Sequence, residues 1–522
     1  MKRVVTINAG RIAAAAICAS VASAAAACSR PAQAPLPTPI ERVMILVFDQ
    51  MRPDYIDRFS LEHFKHLRAI SRNYPEAYVG HMGAQTVVSH IVIPSGLQPN
   101  MLPWQDEAFL DRDGLLGKPD TAYRTDELGR ERLWGLLSGI PPEQFLATRI
   151  RKKLGGGIYA AGEKDYAATL FGTHADAMVT LKKAAGRCEP DGANVPDYIT
   201  SNSRFTLECS EPYGTNLSTI WALDGNHYVP GRDPAHLGGD VWTADVALEF
   251  MAHEQWSALF LTFGAIDKVA HMLGEHDGHG VTSVPSAYHL ADVLHTADEQ
   301  LGRLLAALEQ RQLLDKTLLV VTADHGGQHD EFYMGNGRYQ SCCPFEGSSV
   351  KAEPPYWIEH LTALGGVKTA YVDTSVKLWL TDRSLVTEEK LVRGLSDIPG
   401  MIEVYARRSG HEATVARVFS RLDRQPTPFQ TWAQRHNAEL VETMMSPTGP
   451  DLVGLLADGY GFGRLGDHGG AQEKVQRIPM IVYVPGQPPT TVTTPMRLVD
   501  INAEVTALAG LEAAPRALPP IR

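Results

Sequence analysis

The chain of 522 residues is short of positive charge: 48 Lys and Arg stand against 60 Asp and Glu, a formal net charge of −12. Nucleic-acid scaffolds and polybasic membrane binders neutralise phosphate with positive surface, so this balance excludes both roles. Cysteine is scarce, six residues in all, with no CxxC pair of the kind that builds a zinc ribbon. A GxSxG elbow, a P-loop and a GxGxxG following a strand are also missing, which removes the serine-hydrolase, P-loop and dinucleotide-binding readings; Gly155-Gly156-Gly157 reads as a turn. There is no internal repeat, and beyond residue 27 no apolar run long enough to span a membrane. What is left, 44% hydrophobic and 21% charged, is the composition of an ordinary globular protein.

Lys2, Arg3 and Arg11 precede an apolar, Ala-rich run over residues 12–27, the shape of a secretory signal and short for a membrane-spanning helix. The run ends at Ala25-Ala26-Ala27-Cys28. That stretch resembles a bacterial lipoprotein processing site, except that Ala25 stands where a larger aliphatic residue is usual. Cys28 is therefore one expected end of the leader and a lipid anchor; simple cleavage in the Ala-rich stretch or after Ala34 is the other. Both imply export, as a periplasmic or a membrane-anchored protein. Residues 28–40, rich in proline, read as a stiff tether. Cys188 and Cys209 flank a loop-like stretch that a disulfide would close, while Cys342 and Cys343 pair elsewhere or stay free.

From Arg42 onward short apolar runs alternate with longer amphipathic ones, the signature of a βα-type sheet domain. Strands are expected over residues 43–48, 258–263, 318–322 and 480–484, and helices over 61–70, 288–314 and 499–509. The long helix carries Leu290, Val293, Leu294, Ala297, Leu301, Leu304 and Leu305 on one face. Residues 41–515 read as a single domain with insertions at about 105–240 and 330–460, each too long for a bare loop and so expected to carry secondary structure of its own.

The chemistry lies where acids and histidines fall relative to the strands. Asp49 directly follows the first strand, Asp267 and His271 the second, and Asp324-His325 the third; His468 lies shortly before the last. Open α/β sheets bind ligands at the carboxyl ends of their strands, so these side chains can converge. Carboxylate oxygens mixed with imidazole nitrogens suit Zn²⁺ or a similar divalent ion, and six such ligands suffice for two ions about 4 Å apart. Taken singly each residue has a plainer reading: Asp49 and Asp267 as turn or helix caps, His468 as a hydrogen-bonded histidine, Thr86 as the start of a strand or helix. His276, Asp277 and His279 read as a solvated loop.

Five blocks in order resemble the alkaline phosphatase superfamily, and within it the type I phosphodiesterase/nucleotide pyrophosphatase branch. They are Val47-Phe48-Asp49-Gln50-Met51-Arg52-Pro53-Asp54, the stretch Gln85-Thr86-Val87-Val88-Ser89-His90 running on to Pro94-Ser95-Gly96, Asp267-Lys268-Val269-Ala270-His271, Thr322-Ala323-Asp324-His325-Gly326-Gly327, and Asp467-His468-Gly469-Gly470. The resemblance implies a three-layer α/β/α sandwich around a mostly parallel sheet, with cap insertions. It implies one ion on Asp267, His271 and His468, a second on Asp49, Asp324 and His325 with the Thr86 oxygen, and Thr86 as nucleophile of a covalent phosphothreonine. Zn²⁺ is the expected metal and a small-molecule phosphoester the expected substrate. Lys164 matches a phosphate-contacting lysine of some phosphomonoesterase members, but Tyr166 stands where their arginine would be, and Asn100 lies too early for the family's asparagine. Both departures favour diesters, because a bidentate guanidinium suits a dianionic monoester. A phosphomonoesterase or phosphonate hydrolase on the same site is the alternative, and a catalytically silent surface-binding protein the alternative of another class. The sulfatase block C/S-x-P-x-R is missing.

Overall fold

Val43, Met44, Ile45, Leu46, Val47 and Phe48 place large apolar side chains on both faces of one extended run, so the strand they form has to be covered on both sides. It is β1 (Arg42–Phe48), and all six are buried. The computed structural model of the chain describes residues 39–184, 187–208, 238–273, 286–330, 332–333, 356–408, 414–462 and 466–516. The leader, the proline-rich tether with Cys28, the loop with His276, Asp277 and His279, and Cys209, Cys342 and Cys343 lie outside them. Cys188 is disulfide-bonded.

β2 (Gly157–Gly162), β3 (Trp256–Phe263) and β4 (Thr317–Thr322) run parallel to β1 in the spatial order β4-β1-β3-β2. Strand Ala177–Ala184 continues the parallel set beyond β2, and further strands at both flanks, including Met480–Tyr483 antiparallel to β4, extend the sheet to ten strands. The segment 105–240, expected as an insertion, thus supplies four strands of the main sheet. Its sequence hid β2: Gly-Ile-Tyr-Ala-Ala-Gly has small residues where a buried strand usually shows branched ones, yet it is seated between β3 and Ala177–Ala184.

Helices cover both faces in two groups. α1 (Glu62–Ala69), α4 (Gly238–His253), α5 (Ala265–Leu273) and α6 (Ser286–Gln310) pack among themselves on one side. α2 (Thr86–Ser95), α3 (Asp165–Phe171), helix Leu146–Leu154 and the C-terminal helix Asp500–Leu508 pack on the other. The fold is a three-layer α/β/α sandwich. The apolar stripe of α6 from Leu290 to Leu305 is buried as its spacing predicts. Phe48 of β1 stacks on Phe263 of β3 with ring centroids 4.6 Å apart, just below the strand ends that carry the site.

The segment 330–460 holds a second, wholly antiparallel sheet of five strands: β5 (Val367–Val372), β6 (Ser375–Leu380), β7 (Met401–Arg408), β8 (Thr414–Ser420) and β9 (Leu452–Leu456), in the order β5-β6-β9-β7-β8. One apolar cluster packs Leu391 and Leu395 of helix Leu385–Ser396 with Val376, Leu378 and Val404; another packs Leu440 and Val441 of helix Thr427–Glu442 with Tyr405, Val453 and Leu455.

Candidate active site

Most candidate side chains sit at or just beyond a strand end, and Thr86 opens a helix. Asp49 follows β1, its N–H donating to Phe263 O (2.9 Å) across the sheet. Asp324 and His325 follow β4 in a turn closed by Gly326 and Gly327. A Cβ on Gly326 would meet Lys474 O at 2.2 Å and one on Gly327 the Gln50 amide at 2.0 Å, so the turn packs only with glycine. α5 starts just after β3, its first turn held by Asp240, whose Oδ1 accepts from the Ala265 N–H (3.2 Å). Asp267 and His271 sit one turn apart on α5 and therefore share a face, with His271 Nε2 3.0 Å from Asp267 Oδ1. His468 directly follows the short strand Gly466–Asp467, which pairs with Gln328–His329 beyond the Asp324 turn. Thr86 is the first residue of α2, whose leading N–H groups have no acceptor within the helix.

The parts meet at short range. His468 Nε2 lies 3.1 Å from His271 Nε2 and 3.3 Å from Asp267 Oδ1. His325 Nε2 lies 3.4 Å from Asp49 Oδ1 and 3.5 Å from Asp324 Oδ2. The His325 and His468 rings stack with centroids 3.8 Å apart, joining the two groups. Thr86 Oγ1 lies 3.4 Å from both Asp49 Oδ2 and His325 Nε2. Lys164, at the start of α3, places its ammonium between the groups, 2.6 Å from Asp267 Oδ2 and in contact with Asp49 Oδ2. The ligand atoms of Asp49, Asp324 and His325 lie within 4.8 Å of one another, as do those of Asp267, His325 and His468.

Two features fit this donor set to divalent cations. Each histidine is oriented by a backbone carbonyl: Nδ1 of His271 donates to Gly466 O (2.5 Å), that of His325 to Gly326 O (2.9 Å) and that of His468 to Ala84 O (3.0 Å). All three thereby turn Nε2 to the centre, the arrangement second-sphere carbonyls impose on metal-binding histidines. The buried oxygens Asp49 Oδ1, Asp267 Oδ1 and Asp324 Oδ2 accept no hydrogen bond among the described residues. An unsatisfied buried acceptor costs about 1–3 kcal/mol, more when charged, and a cation relieves it.

The electrostatics carry the same surplus of negative charge. Burial, and after it the neighbouring Asp49, push the Asp324 carboxyl up to about 7. Burial opposes the charge on Asp267, yet His271 and Lys164 hold it well below the usual carboxylate range. Lys164 is likewise buried against its charge, but Asp267 and Asp49 raise it well above an ordinary lysine. Burial and the charge of His325 push His468 far down, so its ring is neutral and Nε2 carries a lone pair. The Tyr166 phenol is raised by burial and keeps its proton; its charged neighbours are Lys164, Glu107, Asp267 and Asp49.

All nine residues named from the sequence, Asp49, Thr86, Lys164, Tyr166, Asp267, His271, Asp324, His325 and His468, lie in this one region. Asn100 does not: it is exposed and donates to Glu442 O (3.4 Å). Several neighbours escaped sequence reasoning. His90, one turn beyond Thr86, joins the Thr86 carbonyl (2.8 Å) to the Thr262 hydroxyl (2.8 Å), and burial lowers its pKa to about 4; its i+4 spacing was the available signal. Asp467 groups with His271 and His468. Glu107 meets the Tyr371 hydroxyl beside Tyr166.

Residues 43–388 match the family described as type I phosphodiesterase / nucleotide pyrophosphatase. Among solved structures, wild-type alkaline phosphatase PafA superposes with a TM-score of 0.60 at 15% identity, covering 91% of this chain and 96% of that one. Murine ectonucleotide pyrophosphatase / phosphodiesterase 5 superposes at 0.50 and 13% identity, covering 92% and 96%; an inactive form of that murine protein in complex with AMP gives 0.51 and 14% over the same shares. At such identities the likeness is one of fold. None of the curated proteins compared with the chain matches it. The match spans well over half the chain, which belongs to the type I phosphodiesterase / nucleotide pyrophosphatase family and is a phosphoester hydrolase.

Proposed function

We propose that the protein is an exported phosphodiesterase or nucleotide pyrophosphatase that works through Thr86 with two divalent cations, most simply Zn²⁺. The observation that carries this reading is the meeting of three carbonyl-oriented imidazoles, three buried carboxylates with unsatisfied oxygens and a threonine hydroxyl. Asp267, His271 and His468 would hold one cation, and Asp49, Asp324 and His325 with the Thr86 oxygen the other. Cations there supply Lewis-acid stabilisation of the oxygen charge that develops in attack and departure.

The chain's own groups do the rest. Thr86 Oγ1 attacks phosphorus and gives its hydroxyl proton to solvent, the P–O bond to the leaving group breaks as that oxygen takes up a proton, and a phosphothreonine forms; water then attacks phosphorus, leaving its oxygen on the phosphate and returning a proton to Oγ1 as the Thr–O–P bond breaks. The hydroxyl stands at the first residue of α2, so the opening N–H groups of that helix face the transferring phosphoryl oxygens, where a helix N-terminus favours anions. Lys164 is the nearby ammonium and Tyr166 a neutral phenol, with the Glu107 carboxylate close by. One fixed cation and one acid at this edge suit a monoanionic phosphodiester better than a dianionic monoester. AMP bound to the murine relative supports a nucleotide as the substrate class. The leader supports export, and Cys28 supports lipid anchoring, to be read by cell fractionation and acyl labelling.

The test is a comparison of bis-p-nitrophenyl phosphate with p-nitrophenyl phosphate, with Thr86→Ala beside the parent. The expected result is higher kcat/KM for the diester and near-background turnover in the variant at unchanged metal content. Full activity of Thr86→Ala refutes the nucleophile; faster monoester hydrolysis refutes the diester reading.

A further inference from the structure

β6 opens on Ser375 and is otherwise apolar except at Lys377, which is fully buried. A buried ammonium persists only with partners. Lys377 Nζ pairs with Asp106 Oδ2 (2.8 Å) and with Asp373 Oδ2, and donates to Gly469 O (3.0 Å). Asp373 is itself a hub in the turn between β5 and β6. Its Oδ1 accepts from the Ser375 N–H (2.8 Å) and hydroxyl (2.7 Å), and its Oδ2 accepts from Gln85 Nε2 (2.7 Å).

Both outer contacts end beside the site. Gln85 immediately precedes Thr86, and Gly469 immediately follows His468. The turn also donates from the Ser375 hydroxyl to Gly469 O (3.1 Å) and from the Thr374 N–H to His468 O (3.3 Å). Gly469, at φ +93°, lies so close that a Cβ would meet Asp373 Oδ2 and Gln85 Nε2 at 2.2 Å each. Gln85 makes no side-chain cap on α2; its amide is committed to the second sheet. The β5–β6 turn is thus wedged between the residue before the proposed nucleophile and the residue after a proposed metal ligand.

We infer that Asp373, anchored by Lys377 and Asp106, is a positioning residue for catalysis. Through Gln85 it fixes the backbone entering α2 and so the aim of the Thr86 hydroxyl; through Gly469 it seats His468. An apolar turn would fill the same space, but a charge-assisted hydrogen bond also sets distance and direction. Misplacing a reacting group by about 1 Å costs about 100-fold in rate. The second sheet, on this account, is a brace for the nucleophile. The inference rests on Thr86 being the nucleophile.

A double-mutant cycle on the full-length, zinc-loaded protein tests it, with bis-p-nitrophenyl phosphate as substrate. Gln85→Leu and Asp373→Asn are each expected to lower kcat by about 10–100-fold, with KM unchanged and, in Gln85→Leu, zinc content unchanged too. The double variant should be no slower than the slower single one, because both remove the same bond. The exchange pair Gln85→Glu with Asp373→Asn, which restores that bond with donor and acceptor reversed, should recover part of kcat. Losses that multiply, or a kcat per folded molecule that stays at the parent value while only thermal stability falls, overturn the inference. If Asp373→Asn does not fold, Gln85→Leu alone carries the test: a lowered kcat at parent KM and stability supports the brace, and a kcat at the parent value overturns it. Thr86→Ala, run alongside, separates the failures: a dead Thr86→Ala with a multiplying cycle refutes the brace alone, whereas an active Thr86→Ala refutes the nucleophile and the brace with it.

Discussion

Lys164→Met removes an ammonium and keeps most of the packing volume. Nζ lies 2.6 Å from Asp267 Oδ2 and also contacts Asp49, and the lysine side chain is only 3% exposed, so water does not replace it. Removing one partner of a buried ion pair costs about 3–5 kcal/mol. That loss falls on the cation-free protein alone, because cations seated among the same carboxylates neutralise them in the ammonium's stead. The thermodynamic cycle fixes the consequence: what the variant loses without metal returns as tighter metal binding, about 2–3.5 orders of magnitude at about 1.4 kcal/mol per decade. The measurements are urea unfolding of chelator-treated protein and zinc titration against a chelator of known affinity. The parent should be the more stable without zinc, the difference should largely close with zinc, and the variant should bind zinc more tightly. An apo loss below about 1 kcal/mol together with unchanged zinc affinity would show that Lys164 is not the internal counter-ion of the site.

Asp324→Asn tests the raised carboxyl. With a folded pKa pushed up to about 7 by burial and Asp49, against 3.8 ordinarily, the acid opposes folding only once it must ionise. The penalty is absent below about pH 4, grows through the interval, and is complete above pH 7. Chelator-treated Asp324→Asn should therefore melt higher than the parent at pH 8 and close to it at pH 4.5; equal shifts at both pH values would exclude the account. Tyr166→Arg places a guanidinium beside Lys164 and should raise monoester relative to diester hydrolysis by about tenfold or more, as expected for a bidentate contact to a dianion. An unmoved ratio would mean that residue 166 does not face the transferred phosphoryl group.

β1, β3 and β4 were legible because their branched and aromatic runs admit few other structures, and the acids after them because a polar residue at the end of a buried strand has few places to go. Thr86 was legible as a block and not as a conformation; only the structure shows it opening a helix. β2 was obscured by its glycines and alanines, whose strand propensity comes from neighbours and not from their own side chains. Lys377 left a mark, a lone charge in a largely apolar strand, with Asp373 four residues before it, but Asp106 and Gly469 come from two distant segments that no spacing rule ties to it. Asn100 illustrates the opposite case: a residue of the right type near the right block, carried by its local turn to the surface.

The six proposed ligands arrive from almost opposite ends of the described chain, and that order has a consequence for how an active molecule comes into being. A nascent chain still lacking His468 has already made β1, β3 and β4, but neither the strand Met480–Tyr483 beside β4 nor the Asp467-His468 segment that closes the site. Contacts of such long sequence separation form late in folding. Fragments ending before residue 467 would hold Asp49, Asp324 and His325 without the histidine that joins them to Asp267. On the proposed ligand set, hydrolysis would start only when the last elements have docked, and activity would then report the completeness of the polypeptide as well as its chemistry.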